Sequence, residues 1–224
     1  MTRLFNTVGV IPAHDEADVI GNTIGIAKSS FRSIGEEAHI IVVDDGSTDG
    51  TAEIARSMGC EVVSLKENRG KANAIFAGIK RASAYGPKST ILLDADITRM
   101  NDRLLGEMTA LTRSATEDRT QLMVVSPWLE EGRKVPTWDF SGIRGLSLPA
   151  LFRVRLSDFK GAVEGYGIEE FLNRTFKDHR RDIGSRDREG SFIGREAFRK
   201  LDVQRDQAHN ILFTQQRLDK MGLR

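Results

Sequence analysis

The chain has 224 residues, 39% hydrophobic and 29% charged, which is the balance of an ordinary globular protein with a well-formed core and a length suited to one α/β domain. Its 33 Lys and Arg against 32 Asp and Glu leave a formal net charge of +1, which excludes a molecule-wide field steering it to nucleic acid. A single cysteine, Cys60, excludes an intrachain disulfide framework and suits a reducing compartment, and no stretch approaches the roughly 20 apolar residues of a membrane span.

Met1 to Glu16 does not have the form of a signal peptide, because its apolar run is short and breaks at Pro12, His14, Asp15 and Glu16. A soluble, cytoplasmic protein is expected, with peripheral contact at a membrane surface left open. Val8 to Ile11 is a first short strand closed by Pro12. His39 to Val43 is a second, ending in Asp44-Asp45-Gly46-Ser47. Ile54, Ala55 and Met58 follow as a helical stripe after the capping residues Asp49-Gly50-Thr51. Glu61 to Leu65 is a third strand, and Ala72, Ile75, Phe76 and Ile79 keep the i, i+3, i+4, i+7 spacing of an amphipathic helix. Thr90 to Leu93 is a fourth strand ending in Asp94-Ala95-Asp96, and Leu104, Leu105, Met108 and Leu111 form another helical stripe. Leu122 to Val125 is a fifth strand. Near-continuous apolar strands alternating with helices predict an open, mostly parallel sheet with helices on both faces, and in such sheets ligands bind beyond the carboxyl ends of the strands.

The second half reads differently. Ser126 to Ala162 shows little periodicity and is expected as long loops. Gly167 to Phe176 opens a helix, Lys177 to Gly190 reads as a charged, mobile loop, and Phe198 to Met221 reads as one or two polar helices. There is no internal repeat and no interdomain linker, so residues 1–224 are expected to form one domain. Residues 1–127 form its ligand-binding half, and 128–224 an irregular second half.

The chemistry lies at the strand ends. Asp94 and Asp96, at i and i+2 past a buried strand, can reach one hard cation, whose remaining ligands are usually water and substrate phosphates. Alone, an Asp-x-Asp is equally well a turn that caps the next helix. Asp44 to Thr51 offers carboxylates, hydroxyls and backbone N–H groups to a base and ribose, although turn and cap chemistry accounts for Asp49 or Thr51 equally well. Pro12-Ala13-His14-Asp15-Glu16 is a third loop at the same edge, and Asn68-Arg69-Gly70-Lys71 places a cation before a helix.

Together these segments resemble the family 2 glycosyltransferases of the GT-A fold. Val10 to Glu16 resembles the opening Pro-x-x-Asn-Glu, with Asp15 in the Asn place. Asp44 to Thr51 resembles the nucleoside-binding Asp-Asp-Gly-Ser-x-Asp-Gly-Thr, Asn68 to Lys71 the Asn-x-Gly-Lys segment, and Asp94-Ala95-Asp96 the metal-binding Asp-x-Asp. Past Asp96 the likeness thins. Ser141-Gly142-Ile143-Arg144 is similar to an acceptor-side Ser-Gly-x-Arg. Gly165-Tyr166-Gly167-Ile168-Glu169 is similar to a segment of polyprenyl-phosphate and glucosyl-phosphoglycerate glycosyltransferases. The plain Glu-Asp catalytic motif of inverting members is missing.

The resemblance implies transfer of a sugar from a UDP- or GDP-sugar, with Mg²⁺ or Mn²⁺ held by Asp94 and Asp96. Pro12, Ala13, Asp15, Glu16, Asp44, Asp45, Gly46, Ser47, Lys71 and Ala95 complete the donor site. Glu169 and Arg144 are the catalytic and acceptor-side candidates: Glu169 either activates the acceptor or positions sugar and acceptor. Arg144, with Arg153, Arg155 and Lys160, is expected to meet an anionic acceptor, a lipid phosphate or a small phosphorylated acid. His179 and His209 are candidates for a further metal ligand, and a homodimer is allowed. Two other readings stand beside this one. One is a phosphatase of the haloacid dehalogenase type using Asp94 and Asp96. The other is a sugar-nucleotide-binding protein without activity.

Overall fold

The structure, a computed structural model, describes residues 4–126, 128–130, 141–159, 167–183 and 198–200. Strands β1 (Thr7–Ala13), β2 (Ala38–Asp44), β3 (Glu61–Ser64) and β4 (Ser89–Leu92) run parallel in the order β3-β2-β1-β4. They are joined by helices α1 (Ala17–Ser33), α2 (Thr51–Ser57) and α3 (Lys71–Ser83). After β4 come β5 (Ile97–Arg99), α4 (Asp102–Glu117), β6 (Met123–Val125), β7 (Trp128–Glu130), β8 (Arg144–Leu146) and α5 (Leu148–Arg153). The described chain closes with α6 (Gly167–Thr175), β9 (Arg180–Asp182) and β10 (Phe198–Lys200). The first sheet has seven strands in the order β3-β2-β1-β4-β8-β6-β9, and β5, β10 and β7 form a second, smaller one.

Period-two alternation divides the core. Val8 and Val10 of β1 and Ile41 and Val43 of β2 face α3, α5 and α6. Ile11, Ala13, Ile40 and Val42 face the side of α1, α2 and α4. Both faces are covered, so every second residue must be apolar on each side and the strands read as unbroken hydrophobic runs. The predicted stripe Ala72, Ile75, Phe76 and Ile79 is buried as one face of α3. Asn101 caps α4 by accepting the N–H of Leu104.

The later half departs from expectation in the segments that begin at Ser126, Lys177 and Phe198. β8 lies between β4 and β6 and pairs antiparallel with both. The segment expected as loops contains β7, β8 and α5. Phe198–Lys200 is a strand rather than a helix start, and residues 201–221 of the expected polar helices lie outside the described residues. Lys177–His179 and Arg180–Asp182, expected within a loop, form a 3₁₀ turn and β9, and residues 184–190 lie outside the described residues. These are three-residue strands, too short to carry a period, and they exist because distant strands offer them open ladders. Gly145 lets β8 sit under α4, since a Cβ there would lie 2.6 Å from Met108 Cγ.

Gly78 sets the distance between α3 and the sheet. A Cβ at this position would stand 2.3 Å from Val10 Cγ1 and 3.0 Å from Val43 Cγ2. Two effects compete in Gly78→Ala. Helix propensity favours alanine by about 1 kcal/mol, and overpacking a filled core costs about 1–3 kcal/mol. We expect overpacking to win, with a net loss of up to about 2 kcal/mol and a lower denaturant midpoint at unchanged slope. A midpoint at or above wild type would show that propensity decides and that α3 has room to move.

Candidate active site

The carboxyl edge of β1 to β4 gathers the predicted loops, and the structure shows how they hold one another. Asp15 takes a left-handed φ of 51°. Its N–H donates to Ser47 Oγ at 3.0 Å, and its Oδ1 accepts the N–H of Thr48 at 2.8 Å. Glu16 N–H donates to Thr51 Oγ1 and Ala17 N–H to Asp49 Oδ2. The first turn of α1 therefore has its orphan donors met by side chains from the β2–α2 loop. Asp49 is held below the usual carboxylate range, first by the Thr51 hydroxyl and then by the Ala17 N–H. Asp15 of the first loop and Ser47, Asp49 and Thr51 of the predicted nucleoside motif thus tie the two loops together.

Asp44 and Asp45 are buried. Asp44 Oδ1 accepts the N–H of Ser47, closing its own turn, and Asp45 Oδ1 accepts the N–H of Arg69 at 2.9 Å. Gly46 follows them at φ 70°, and a Cβ there would fall 2.6 Å from the carbonyl carbon of Glu67. Only glycine lets the β3–α3 loop lie this close. Pro12 and Ala13 are buried at the end of β1, where Ala13 accepts the Asp45 N–H. Glu16 is half-buried at the start of α1.

The β3–α3 loop delivers Lys71, the first residue of α3. Its Nζ lies 2.9 Å from Asp94 Oδ1 and 2.6 Å from Glu169 Oε1. Burial pulls the Lys71 pKa down, but the carboxylates of Asp94 and Glu169 outweigh that effect and hold it above the ordinary lysine value. Asp94 is 6% exposed at the end of β4, and the turn beneath it is pinned where Thr23 Oγ1 donates to the carbonyls of Ala95 and Ile97. Ala95 is buried and Asp96 half-buried. Glu169 is 1% exposed in the first turn of α6, where the helix dipole favours a carboxylate, and its Oε2 accepts no hydrogen bond among the described residues.

Arg144 differs from expectation. Its guanidinium is fully buried rather than presented to an acceptor. Nε donates to the Ser141 carbonyl at 2.7 Å, and Nη1 donates to Asn173 Oδ1 at 2.7 Å and to Met123 Sδ at 3.3 Å. Ser141 precedes Gly142, whose missing Cβ makes room for Asp94: a methyl there would stand 2.2 Å from Asp94 Oδ1. Asn173 lies on α6, which carries Glu169. Arg144 thus fastens the loop behind one carboxylate to the helix that bears the other. Sequence reading missed Gly142 and Asn173, although the Ser-Gly-x-Arg segment held the first of them.

Arg153 and Arg155 remain at the surface, and Lys160 lies outside the described residues. His179 is exposed on the turn after α6, and His209 lies outside the described residues. Among the described residues no group of three or more His, Cys, Asp or Glu side chains gathers to hold a metal ion. Asp94 and Asp96 supply hard oxygen donors from one turn, a set that fits Mg²⁺ or Mn²⁺ when phosphate and water complete the shell.

The family model for glycosyl transferase family 2 matches residues 10–201. An uncharacterized protein of Methanocaldococcus jannaschii is 42% identical over 88 residues, 39% of this chain and 34% of that protein. The undecaprenyl-phosphate 4-deoxy-4-formamido-L-arabinose transferase of Edwardsiella ictaluri is 35% identical over 94 residues, 39% of this chain and 28% of that enzyme. These matches span about a third or less of the relatives' length. Among solved structures, mannosyl-3-phosphoglycerate synthase from Rubrobacter xylanophilus superposes with a TM-score of 0.64 at 16% identity, covering 98% of this chain and 76% of that one. Glucosyl-3-phosphoglycerate synthase from Mycobacterium tuberculosis, crystallised with Mn²⁺, UDP and glucosyl-3-phosphoglycerate, gives 0.56 at 19%, covering 80% and 69%. At these identities the likeness is one of fold.

The burial of Arg144 has a measurable consequence. Arg144→Met keeps the length of the side chain but removes its donors to Ser141 and Asn173. We expect a loss of about 2–4 kcal/mol in unfolding free energy, since hydrogen bonds to a charged group are strong and the abandoned acceptors stay buried. Wild-type stability in the variant, with a raised acceptor KM, would return the guanidinium to the acceptor.

Proposed function

The chain belongs to glycosyl transferase family 2, and we propose that it is a metal-dependent enzyme transferring a sugar from a UDP- or GDP-sugar to an anionic acceptor. One observation supports this above the others: a single ammonium, Lys71 Nζ, bridges the strand-end Asp94 and the buried Glu169 at the edge where the nucleotide loops meet.

In this reading the base and ribose lie over Pro12, Ala13 and the Asp44–Asp45 turn, which the crossing loops hold rigid. Asp94 and Asp96 hold the divalent cation, which offsets the charge of the diphosphate when bound. The phosphates draw Lys71 toward themselves, and Glu169 Oε1 is released. The acceptor oxygen then forms its bond to the anomeric carbon as the bond from that carbon to the diphosphate oxygen breaks. The nucleoside diphosphate leaves with the electron pair; a hydroxyl acceptor passes its proton to Glu169, whereas an ionised phosphate oxygen has none to pass. The lipid-phosphate and phosphoglycerate names among the relatives and neighbours support an acceptor of negative charge. A phosphatase reading of Asp94 and Asp96 finds no support in the family match.

Three measurements test the proposal. A thermal-shift screen of UDP- and GDP-sugars with Mn²⁺ should single out one donor, since a ligand at about 100 times its Kd stabilises by about 2.7 kcal/mol. With that donor, Asp96→Asn should weaken binding about tenfold or more, and EDTA should weaken the wild type equally. Equal calorimetric affinity in EDTA would remove the metal from the scheme. Glu169→Gln should lower kcat by about 10²–10⁴ while leaving donor affinity within a few-fold. A kcat within a few-fold of wild type would make Glu169 a positioning residue.

A further inference from the structure

A groove of about 490 Å³ runs between α3 and the segment from α5 to Leu156, on the face away from α1, α2 and α4. Its floor is apolar: Phe76, Ala77 and Ile79 come from α3, and Leu151 and Val154 from the opposite wall. Arg69, Lys80 and Arg155 also line it, and no carboxylate does among the described residues. At the rim Phe152 is 60% exposed and Leu156 50%, beside the exposed Arg153. Both are large apolar side chains left in water.

Lys80 and Arg155 have no carboxylate partner among the described residues. An exposed aromatic and an exposed leucine, set among unpaired cations beside an apolar groove, match a partner that is anionic at its surface and apolar just beneath. We propose that this face docks onto an anionic lipid bilayer, with Phe152 and Leu156 entering the interface and Lys80 and Arg155 meeting lipid phosphates. Arg69, two residues before Lys71, lies at one end of the groove, so docking would bring the active edge close to the lipid surface. No helix among the described residues is long and apolar enough to cross a membrane; the contact proposed is peripheral. The inference stands on this surface alone and does not depend on the glycosyl-transfer reading.

Co-sedimentation of the full chain with vesicles tests it. The wild type should partition at least about tenfold better onto phosphatidylglycerol–phosphatidylcholine vesicles than onto phosphatidylcholine alone, and salt should weaken the binding. Phe152→Ser with Leu156→Ser, and separately Lys80→Glu with Arg155→Glu, should each lose about tenfold or more in partitioning. The thermal unfolding midpoint of both variants should stay at that of the wild type, which separates loss of docking from loss of fold. No sedimentation with anionic vesicles, equal partitioning onto neutral ones, or both double variants binding like wild type would overturn the proposal. A concentration-dependent dimer abolished by Phe152→Ser with Leu156→Ser, without vesicle binding, would overturn it in favour of a second copy of the chain.

Discussion

The active edge depends on one cation placed between two buried carboxylates. Asp94 arrives on a strand and Glu169 on a helix far along the chain, and each is almost wholly withdrawn from water. Two such charges side by side would repel, and each would lose much of its hydration. Lys71 relieves both problems at 2.9 and 2.6 Å. An ammonium on a flexible four-carbon stem suits this place better than a guanidinium fork would, because it can leave. It is held by charge rather than by a fixed planar geometry, so an incoming diphosphate can compete for it.

The surrounding structure holds the three groups in reach of one another. Gly70 takes φ 85° so that α3 begins with Lys71 at the edge. Thr23 grips the turn beneath Asp94. Gly142 gives up its side chain so that the Asp94 carboxylate has room, and Arg144 binds that loop to α6. The residue predicted to meet the acceptor thus lies behind the site, tying its walls together. An arginine can do either, since five donors serve an internal carbonyl and amide as well as an external phosphate.

How much was legible in the sequence follows from the range of the interactions. Strands β1 to β4 and their helices could be read because each carries its own signal: an apolar run buried on two faces, a stripe at helical spacing, or turn residues at a strand end. The Asp44 to Thr51 loop could be located, but the motif does not say which groups await a ligand and which cap a helix. Asp49 and Thr51 cap α1, a helix that precedes them in the chain. Strands β8 and β9 could not be read. Arg144-Gly145-Leu146 has no period of its own and becomes a strand because β4 and β6 flank it. The contact of Lys71 with Glu169 spans 98 residues, and no local pattern announces it.

A second charged cluster, among the residues that begin β2 and β3 and end α3, contrasts with the first. There Glu61 Oε2 accepts from Tyr85 Oη and pairs with His39 Nε2, each at 2.6 Å, and Oε1 accepts from Arg81 Nε. Phe5 stacks on His39 and meets Tyr85 edge-on, closing the cluster with aromatic surface. Burial would raise the Glu61 pKa, yet hydrogen bonds from Tyr85, His39 and Arg81 outweigh it and hold the carboxyl below its ordinary value. Both oxygens of Glu61 are thus engaged by donors anchored on neighbouring elements, and the cluster serves to fasten β2, β3 and α3 together. Glu169 has one oxygen on a displaceable lysine and another that accepts nothing among the described residues. Buried polar atoms in folded proteins are nearly always satisfied, so the open Glu169 oxygen has capacity to accept a hydrogen bond. The two clusters use similar chemistry, but only at the carboxyl edge does a buried carboxylate keep an oxygen with no partner among the described residues.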